Sequence, residues 1–332
     1  MGEKPGFFLE EVCIEGFKSF SEKTEMGFQP GIGVIIGNNG VGKSNILDAI
    51  VWVFGEDDLS QLRCRTHEEL FFAGSKDSPP AEKIRVELVF REGEGKKATK
   101  AVFSRQMHRN GEGGFSINGD PVPRNDFEVQ LAKLKFAHAP KAIIRQEQIN
   151  DLLSLEPDRR YQWVKHRLGA DGAAPSRPRW EETLPPLFQK YLDYLIPDGN
   201  GDVRFFKHNG KKSMEVEVTL PGNRRRRAHQ LSGGEKSVTS LALKLAVFSN
   251  LESPFILLDE VEPSLDYTHH KSMQALLKSV ASGRQLIMIT HLRSTVELAD
   301  TVHGVRTRWD GSSFMKFYFV MDERLLRLYK CC

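Results

Sequence analysis

A chain of 332 residues with 39% hydrophobic and 27% charged residues lies in the ordinary globular range, which argues against a disordered or fibrous protein. Its 47 Lys and Arg against 44 Asp and Glu leave a formal net charge of +3, too little for a global basic field. No apolar run reaches the ~18 residues of a membrane span, and Met1-Gly2-Glu3-Lys4-Pro5 has no signal-peptide core, so no membrane association and a cytoplasmic location are expected. Cys13, Cys64, Cys331 and Cys332 lack metal-ligand spacing and read as free thiols in a reducing compartment. The terminal cysteine pair has the form of a prenyl acceptor, but a degenerate tail is the simpler reading.

In chain order, the first strand is predicted around Phe8 to Glu15 and the second around Gly33 to Gly37. The second runs into Gly37-Asn38-Asn39-Gly40-Val41-Gly42-Lys43-Ser44, the phosphate-loop pattern G-x-x-x-x-G-K-[ST]. Ile46, Leu47, Ala49, Ile50 and Val51 follow at helical spacing, which supplies the strand, loop and helix that the motif requires. Gly37, Gly40 and Gly42 let backbone N–H groups turn inward around a phosphate chain, and the helix adds its positive N-terminal end. Lys43 offers a point charge to the outer phosphates of ATP, and the Ser44 hydroxyl can sit on a magnesium ion (Mg2+). Asn38, Asn39, Val41 and Asn45 complete the expected ATP-binding loop.

Alternating segments at Ile84 to Arg91, Ala101 to Gln106 and Phe115 to Asn118 predict an antiparallel sheet, with turns at Gly93-Glu94-Gly95 and Arg109 to Gly114. Gly169 to Ser176 has the composition of a loop or linker. Beyond it a helix is expected at Leu187 to Leu195, with strands at Val203 to Lys207 and Met214 to Leu220. Arg224-Arg225-Arg226-Arg227 comes next. Such a run is ordinarily a solvated loop, yet together with Lys96-Lys97, Lys207-His208 and Lys211-Lys212 it could neutralise several phosphates.

Leu231-Ser232-Gly233-Gly234-Glu235-Lys236 then opens a helix whose Val238, Leu241, Ala242 and Leu245 share one side. Ser232 is its expected N-cap, with Gly233 and Gly234 behind it as an anion cradle. Phe255-Ile256-Leu257-Leu258 suits a strand buried on both faces, and it ends in Asp259-Glu260. Two adjacent acids there are costly unless a cation or a reacting water uses them. Asp259 is placed to hold magnesium and Glu260 to act as the base for water. A similar strand, Gln285 to Ile289, ends in Thr290-His291, which makes His291 a candidate γ-phosphate sensor.

With these motifs in this order, the chain resembles the ATPase head of SMC proteins, the chromosome-organising branch of the ABC ATPases. The resemblance implies an α/β fold: an ABC-type P-loop NTPase head of two lobes, a mixed or antiparallel sheet, a parallel-rich core sheet and flanking helices. Gly16-Phe17-Lys18-Ser19-Phe20 matches the family's opening motif and adds Lys18 and Ser19 to the ATP site. Asn45 to Ile50 and Val53 to Glu56 continue the phosphate-loop helix. Leu62-Arg63 followed by Phe72-Ala73-Gly74-Ser75 matches the segment carrying the family's DNA-responsive arginine, here Arg63. Gln146 corresponds to the Q-loop glutamine that touches magnesium and water. Ser232, Gly233, Gly234 and Glu235 become the signature motif that completes the ATP site of a second head, Asp266 belongs to the D-loop, and His291 is the switch histidine.

The implied lobes are 1–168 and 180–332, with 169–179 standing where the family has two long antiparallel helices and a hinge. An engineered deletion and a naturally reduced head both fit that substitution. Val41 and Leu292 also depart from the usual pattern, without touching the chemistry. The resemblance further implies an ATP-dependent homodimer or heterodimer of heads, a kleisin-type subunit, chromosome association, and DNA backbone contact without sequence specificity through Arg224, Arg225, Arg226 and Arg227. Competing readings are a RecF- or RecN-type repair ATPase, an ABC transporter nucleotide-binding subunit, and a nucleotide-gated scaffold that hardly hydrolyses. The first-lobe motifs and Gly-Gly-Glu-Lys in the signature favour the SMC reading over the others.

Overall fold

The computed structural model describes residues 6–93, 98–136, 138–145, 151–169, 180–222, 224–251, 253–261 and 270–320. Gln146, Asp266, Lys96, Lys97, the linker residues 170–179 and the Cys331-Cys332 pair lie outside the described residues. In chain order the elements are β1 (Phe8–Glu15), β2 (Thr24–Gly27), β3 (Ile32–Ile36), α1 (Lys43–Val53), β4 (Lys83–Glu92), β5 (Thr99–His108), β6 (Gly113–Ile117), β7 (Asp120–Val122) and α2 (Arg124–Lys133). Then come β8 (Ile143–Arg145), α3 (Asp151–Ser154), α4 (Pro157–Arg167), α5 (Trp180–Leu195), β9 (Asn200–His208), β10 (Lys211–Leu220), β11 (Arg224–Arg227) and α6 (Gly233–Ser249). The last are β12 (Phe255–Asp259), α7 (His270–Ala281), β13 (Gln285–Ile289), α8 (Arg293–Val296), β14 (Thr301–Thr307) and β15 (Ser313–Val320). Two compact units result, one of 1–140, 253–259 and 281–332, the other of 141–252 and 260–280.

The first unit holds an antiparallel sheet in the order β2-β1-β4-β5-β6-β7 and five strands of a second sheet in the order β15-β14-β3-β13-β12. In the second sheet β3 lies between β13 and β14 and is parallel to both, while β12 is parallel to β13. Every residue of β12 and β13 is buried, as the unbroken apolar runs of their sequences require for strands covered on both faces. β4 alternates buried and less buried residues, the pattern of a sheet covered on one face. Packed Phe54, Phe90, Phe103, Phe136 and Phe255 tie the end of α1 to both sheets, with Phe90 and Phe136 centroids 4.5 Å apart and Phe54 and Phe255 5.8 Å apart. Fully buried Gln285 joins the same sheets by polar bonds: its Oε1 accepts from Leu9 N at 2.9 Å and its Nε2 donates to Leu9 O at 2.9 Å.

In the second unit, β9, β10 and β11 form an antiparallel sheet in the order β11-β10-β9. Two sequence expectations need correction here. α5 begins at Trp180 rather than Leu187, despite Pro185 and Pro186 within it. Leu184, Phe188, Leu192 and Leu195 form one buried stripe along it, and their burial outweighs the ~3 kcal/mol that an interior proline ordinarily costs. The arginine run is an edge strand, not a loop, paired from Leu220↔Arg224 to Glu217↔Arg227. That pairing satisfies the outer edge of β10, and Glu217 on β10 accepts from Arg225 and lies 3.4 Å from Arg227 Nε. Charge on an edge strand also discourages pairing with another chain.

Candidate functional site

β3 delivers the chain into the glycine loop, and α1 carries it away. Gly42, the N-cap of α1, has φ +91, and a side chain there would overlap the hydroxyls of Ser19 and Ser313. Only glycine suits both that conformation and that space. Asn38, Asn39 and Gly40 are exposed, whereas Val41 is buried and its carbonyl accepts from Ser313 Oγ at 2.7 Å. The buried Lys43 folds back over the loop, its Nζ donating to Gly37 O at 3.0 Å and Asn38 O at 2.9 Å. A lysine held within the loop is placed to trade carbonyl oxygens for phosphate oxygens.

Ser44 Oγ donates to Asp259 Oδ1 at 2.9 Å, joining the first turn of α1 to the end of β12 across 215 residues of sequence. A hydroxyl and a carboxylate so close are hard oxygen ligands of the kind magnesium takes, with waters and substrate phosphates completing its octahedron. Among the described residues no group of three or more His, Cys, Asp or Glu could hold a metal by itself. Asp259 is buried, and Glu260 after it is partly exposed with φ +50. A positive φ in a non-glycine residue is uncommon and re-aims the side chain as the strand ends. His291 follows β13 and is exposed, while Thr290 before it is fully buried, donates its backbone N–H to Ile35 O at 3.3 Å and accepts from Leu292 N at its hydroxyl at 3.0 Å.

The opening-motif residues reach the same helix. Asn45 Nδ2 donates to Ser19 Oγ at 2.8 Å, and Ser19 O accepts from Ser313 N at 2.7 Å. Lys18 Nζ pairs with Asp48 Oδ2 at 2.6 Å and also donates to Leu62 O. Arg63 Nη2 pairs with the same Asp48 oxygen at 2.7 Å and bonds Asn45 Oδ1 at 3.3 Å. Lys18, Ser19, Asn45 and Arg63 therefore converge on one flank of α1. Arg105 completes the helix at its other end, donating to Trp52 O at 2.9 Å, a cation on C-terminal carbonyls. Sequence reasoning missed Ser313, Gln285 and the role of Asp48.

In the second unit the signature residues begin α6. Ser232 is the N-cap, its Oγ accepting from Glu235 N at 3.5 Å while Glu235 Oε2 accepts from Ser232 N at 2.8 Å, the reciprocal pair of a capping box. Ser232, Gly233 and Gly234 are exposed, and a Cβ at either glycine would meet nothing within 4 Å. Arg225, Arg226 and Arg227 are exposed on β11, with two of the three turned to Glu217. Arg224 belongs to the same strand.

Comparison with known proteins places this geometry. The family model for the RecF/RecN/SMC N-terminal domain matches residues 8–313. The SMC head domain from Thermotoga maritima superposes with a TM-score of 0.65 at 30% identity, covering 95% of this chain and 99% of that one. An Smc head solved in complex with the C-winged helix domain of ScpA superposes with a TM-score of 0.81 at 26% identity, covering 96% and 99%. Among curated proteins, the chromosome partition protein Smc of Clostridium kluyveri (strain NBRC 12016) is 37% identical over 241 residues, 71% of this chain and 20% of that protein. The Smc of Halobacteriovorax marinus is 33% identical over 170 residues, 48% and 14%. The chain thus spans a small part of the length of the full Smc proteins it matches. By the extent of the family match and the near-complete coverage of solved heads, the chain belongs to the RecF/RecN/SMC N-terminal domain family and is an SMC-type head domain.

Proposed function

We propose that this head binds ATP with magnesium, engages a second head around two nucleotides, and separates from it on hydrolysis. The observation that carries the reading is the 2.9 Å bond from Ser44 Oγ to Asp259 Oδ1, which brings the phosphate-loop hydroxyl and the strand-end carboxylate to one point. Lys43 binds the outer phosphates, helped by the backbone N–H groups of the loop and the start of α1. Asn38, Asn39, Gly40, Val41, Gly42, Asn45, Lys18, Ser19 and Arg63 shape the remainder of the nucleotide pocket. Magnesium, when bound by Ser44, Asp259 and Gln146, would neutralise charge developing on the transferred phosphoryl group. Glu260 takes the proton of the attacking water, and His291 senses the γ-phosphate. The exposed Ser232, Gly233 and Gly234, with the half-buried Glu235, approach the nucleotide of the other head, and Asp266 is assigned to the D-loop. The open space around Gly233 and Gly234 supports close approach by another molecule's phosphates.

The same reading assigns the chain to chromosome organisation in the cytoplasm, with DNA held by its backbone and a kleisin-type subunit docking on the head. Support for the subunit comes from the solved Smc head with the ScpA winged-helix domain. Support for DNA is the exposed arginine strand, whose phosphate contacts would each contribute about 0.9 to the log-log salt slope. The decisive variant is Glu260→Gln. Turnover falls by roughly 10²- to 10⁴-fold, ATP binding is retained, and the ATP-bound dimer persists in sedimentation. Full turnover in the purified variant removes Glu260 from the reaction.

A further inference from the structure

Asp48 is fully buried on α1, and two cations from different segments meet on one of its oxygens. Lys18 reaches it from the loop after β1, and Arg63 from the loop after α1. Neither cation sits in an ordinary backbone conformation: Lys18 has φ +50 and Arg63 φ +55. Bulky residues keep such conformations only where their surroundings hold them. The two partners differ in freedom. The Lys18 side chain is 9% exposed and is also tied to Leu62 O, whereas the Arg63 side chain is 35% exposed.

That asymmetry has a consequence for a buried carboxylate. Stripping the only partner from a buried charge is strongly unfavourable, because the charge that remains is uncompensated. Here Arg63 can leave and Asp48 still has Lys18. Arg63 can leave in one useful direction, since its Nη2 already touches Asn45 Oδ1 at 3.3 Å, and Asn45 is the neighbour of Ser44. Asn45 and Asp48 are three residues apart on one helix and so share a face. A short movement along that face takes the guanidinium from Asp48 toward the start of α1, where phosphate is bound.

We propose that Asp48 is a positioning residue for Arg63: it parks the guanidinium on the flank of the phosphate-loop helix and releases it to an arriving phosphate group, while Lys18 stays behind as the counter-charge. The inference rests on the nucleotide-binding reading above and adds a latch to that site. The phosphate comes from nucleotide or from DNA, and the two can be told apart.

The test follows the Arg63 Nε–H by ¹⁵N NMR on the full chain, its signal assigned with Arg63→Lys. In the unliganded protein the bond from Nε to Asp48, 3.2 Å long, slows its exchange with solvent. Magnesium with a non-hydrolysable ATP analogue, or short duplex DNA, is then added in separate titrations. Exchange should accelerate at least tenfold with one of them, and the effective one names the source. Asp48→Asn should show fast exchange from the start and change less than twofold with either. Fast exchange in the unliganded parent chain, no acceleration by either addition, or a protected Nε–H in Asp48→Asn would each overturn the proposal. Should Asp48→Asn fail to fold, the titrations of the parent chain decide alone. Calorimetry on the same samples separates the two readings: an analogue that binds without moving the Arg63 signal sinks the latch only, while an analogue that does not bind sinks the nucleotide site itself.

Discussion

The two helix starts that the proposed function assigns to phosphate are built in opposite ways. α1 begins at Gly42 with no side-chain cap, its first turn enclosed by Ser19 and Ser313 and its own Lys43 lying back over the loop. α6 begins at Ser232 with a complete capping box and nothing standing over Gly233 or Gly234. The first four N–H groups of a helix lack partners within it. At α1 no side chain caps them, and only Asn45 N–H turns back, to Gly42 O at 3.1 Å, which suits the nucleotide site proposed above. At α6 the chain satisfies part of its own start and keeps the surface clear, which suits a surface that must meet a phosphate chain carried by another molecule.

The strongest way to break this contrast is to obstruct the clear one. Ser232→Arg places a long side chain where the capping hydroxyl was, leaving the phosphate loop untouched. ATP binding by the monomer should persist, the ATP-dependent dimer should be lost, and turnover should fall by at least about 10²-fold, as when a donor to developing charge is removed. Sedimentation with ATP and magnesium reads the outcome, and a surviving dimer would end the two-head reading.

A matched pair of glycine substitutions compares the two starts by stability alone. Gly42→Ala forces a Cβ into a φ of +91 and onto the Ser19 and Ser313 hydroxyls, at a cost of roughly 2–4 kcal/mol. Gly233→Ala meets open space in the first turn of α6 and should leave stability within about 0.5 kcal/mol, or raise it slightly. Denaturant melts of both variants give the answer. Equal losses would mean that the two starts are not packed differently.

The same contrast shows what could be read from the sequence. Both starts were legible because their chemistry is local: the glycines, Lys43 and Ser44 lie within one loop, and Ser232 and Glu235 within one turn. The Asp259-Glu260 and Thr290-His291 strand ends were legible too, because the apolar runs before them admit little but a buried strand. What surrounds the first start was not legible. Ser313 reaches Val41 across 272 residues and Gln285 reaches Leu9 across 276, and neither type nor spacing announces such partners. Asp48 was visible only as part of a motif, since the two cations that meet on it come from separate loops. The start of α5 was missed because local proline propensity argued one way and a buried stripe the other. The arginine strand was missed because charge density points to solvent and says nothing about an edge that needs pairing.

The bodies of the two helices extend the comparison to charge. α1 buries Asp48 with two cations on it, whereas α6 buries Lys244, 2% exposed, with its Nζ 6.0 Å from the centre of the Trp163 ring. Burial pushes the Lys244 ammonium down to about 7, with Arg167 adding to the decrease and Asp151 opposing it. An unfolded chain holds that proton to near 10.4, so between about pH 7 and pH 10 the unfolded state binds more protons than the folded one. Stability from this group therefore rises with pH across that window and is flat below it. Lys244→Met keeps the length of the side chain and removes the charge, and should stabilise the protein at pH 7 by roughly 1–3 kcal/mol, on the scale seen when buried charges give way to apolar groups. The gain should shrink as the pH approaches 10, because there the parent chain carries a neutral amine at the same place. Denaturant melts of parent and variant at pH 7 and pH 9.5 check both size and sign. A variant less stable than the parent at pH 7, or a gain that grows with pH, would show that Lys244 is held as a compensated cation, like the carboxylate of α1.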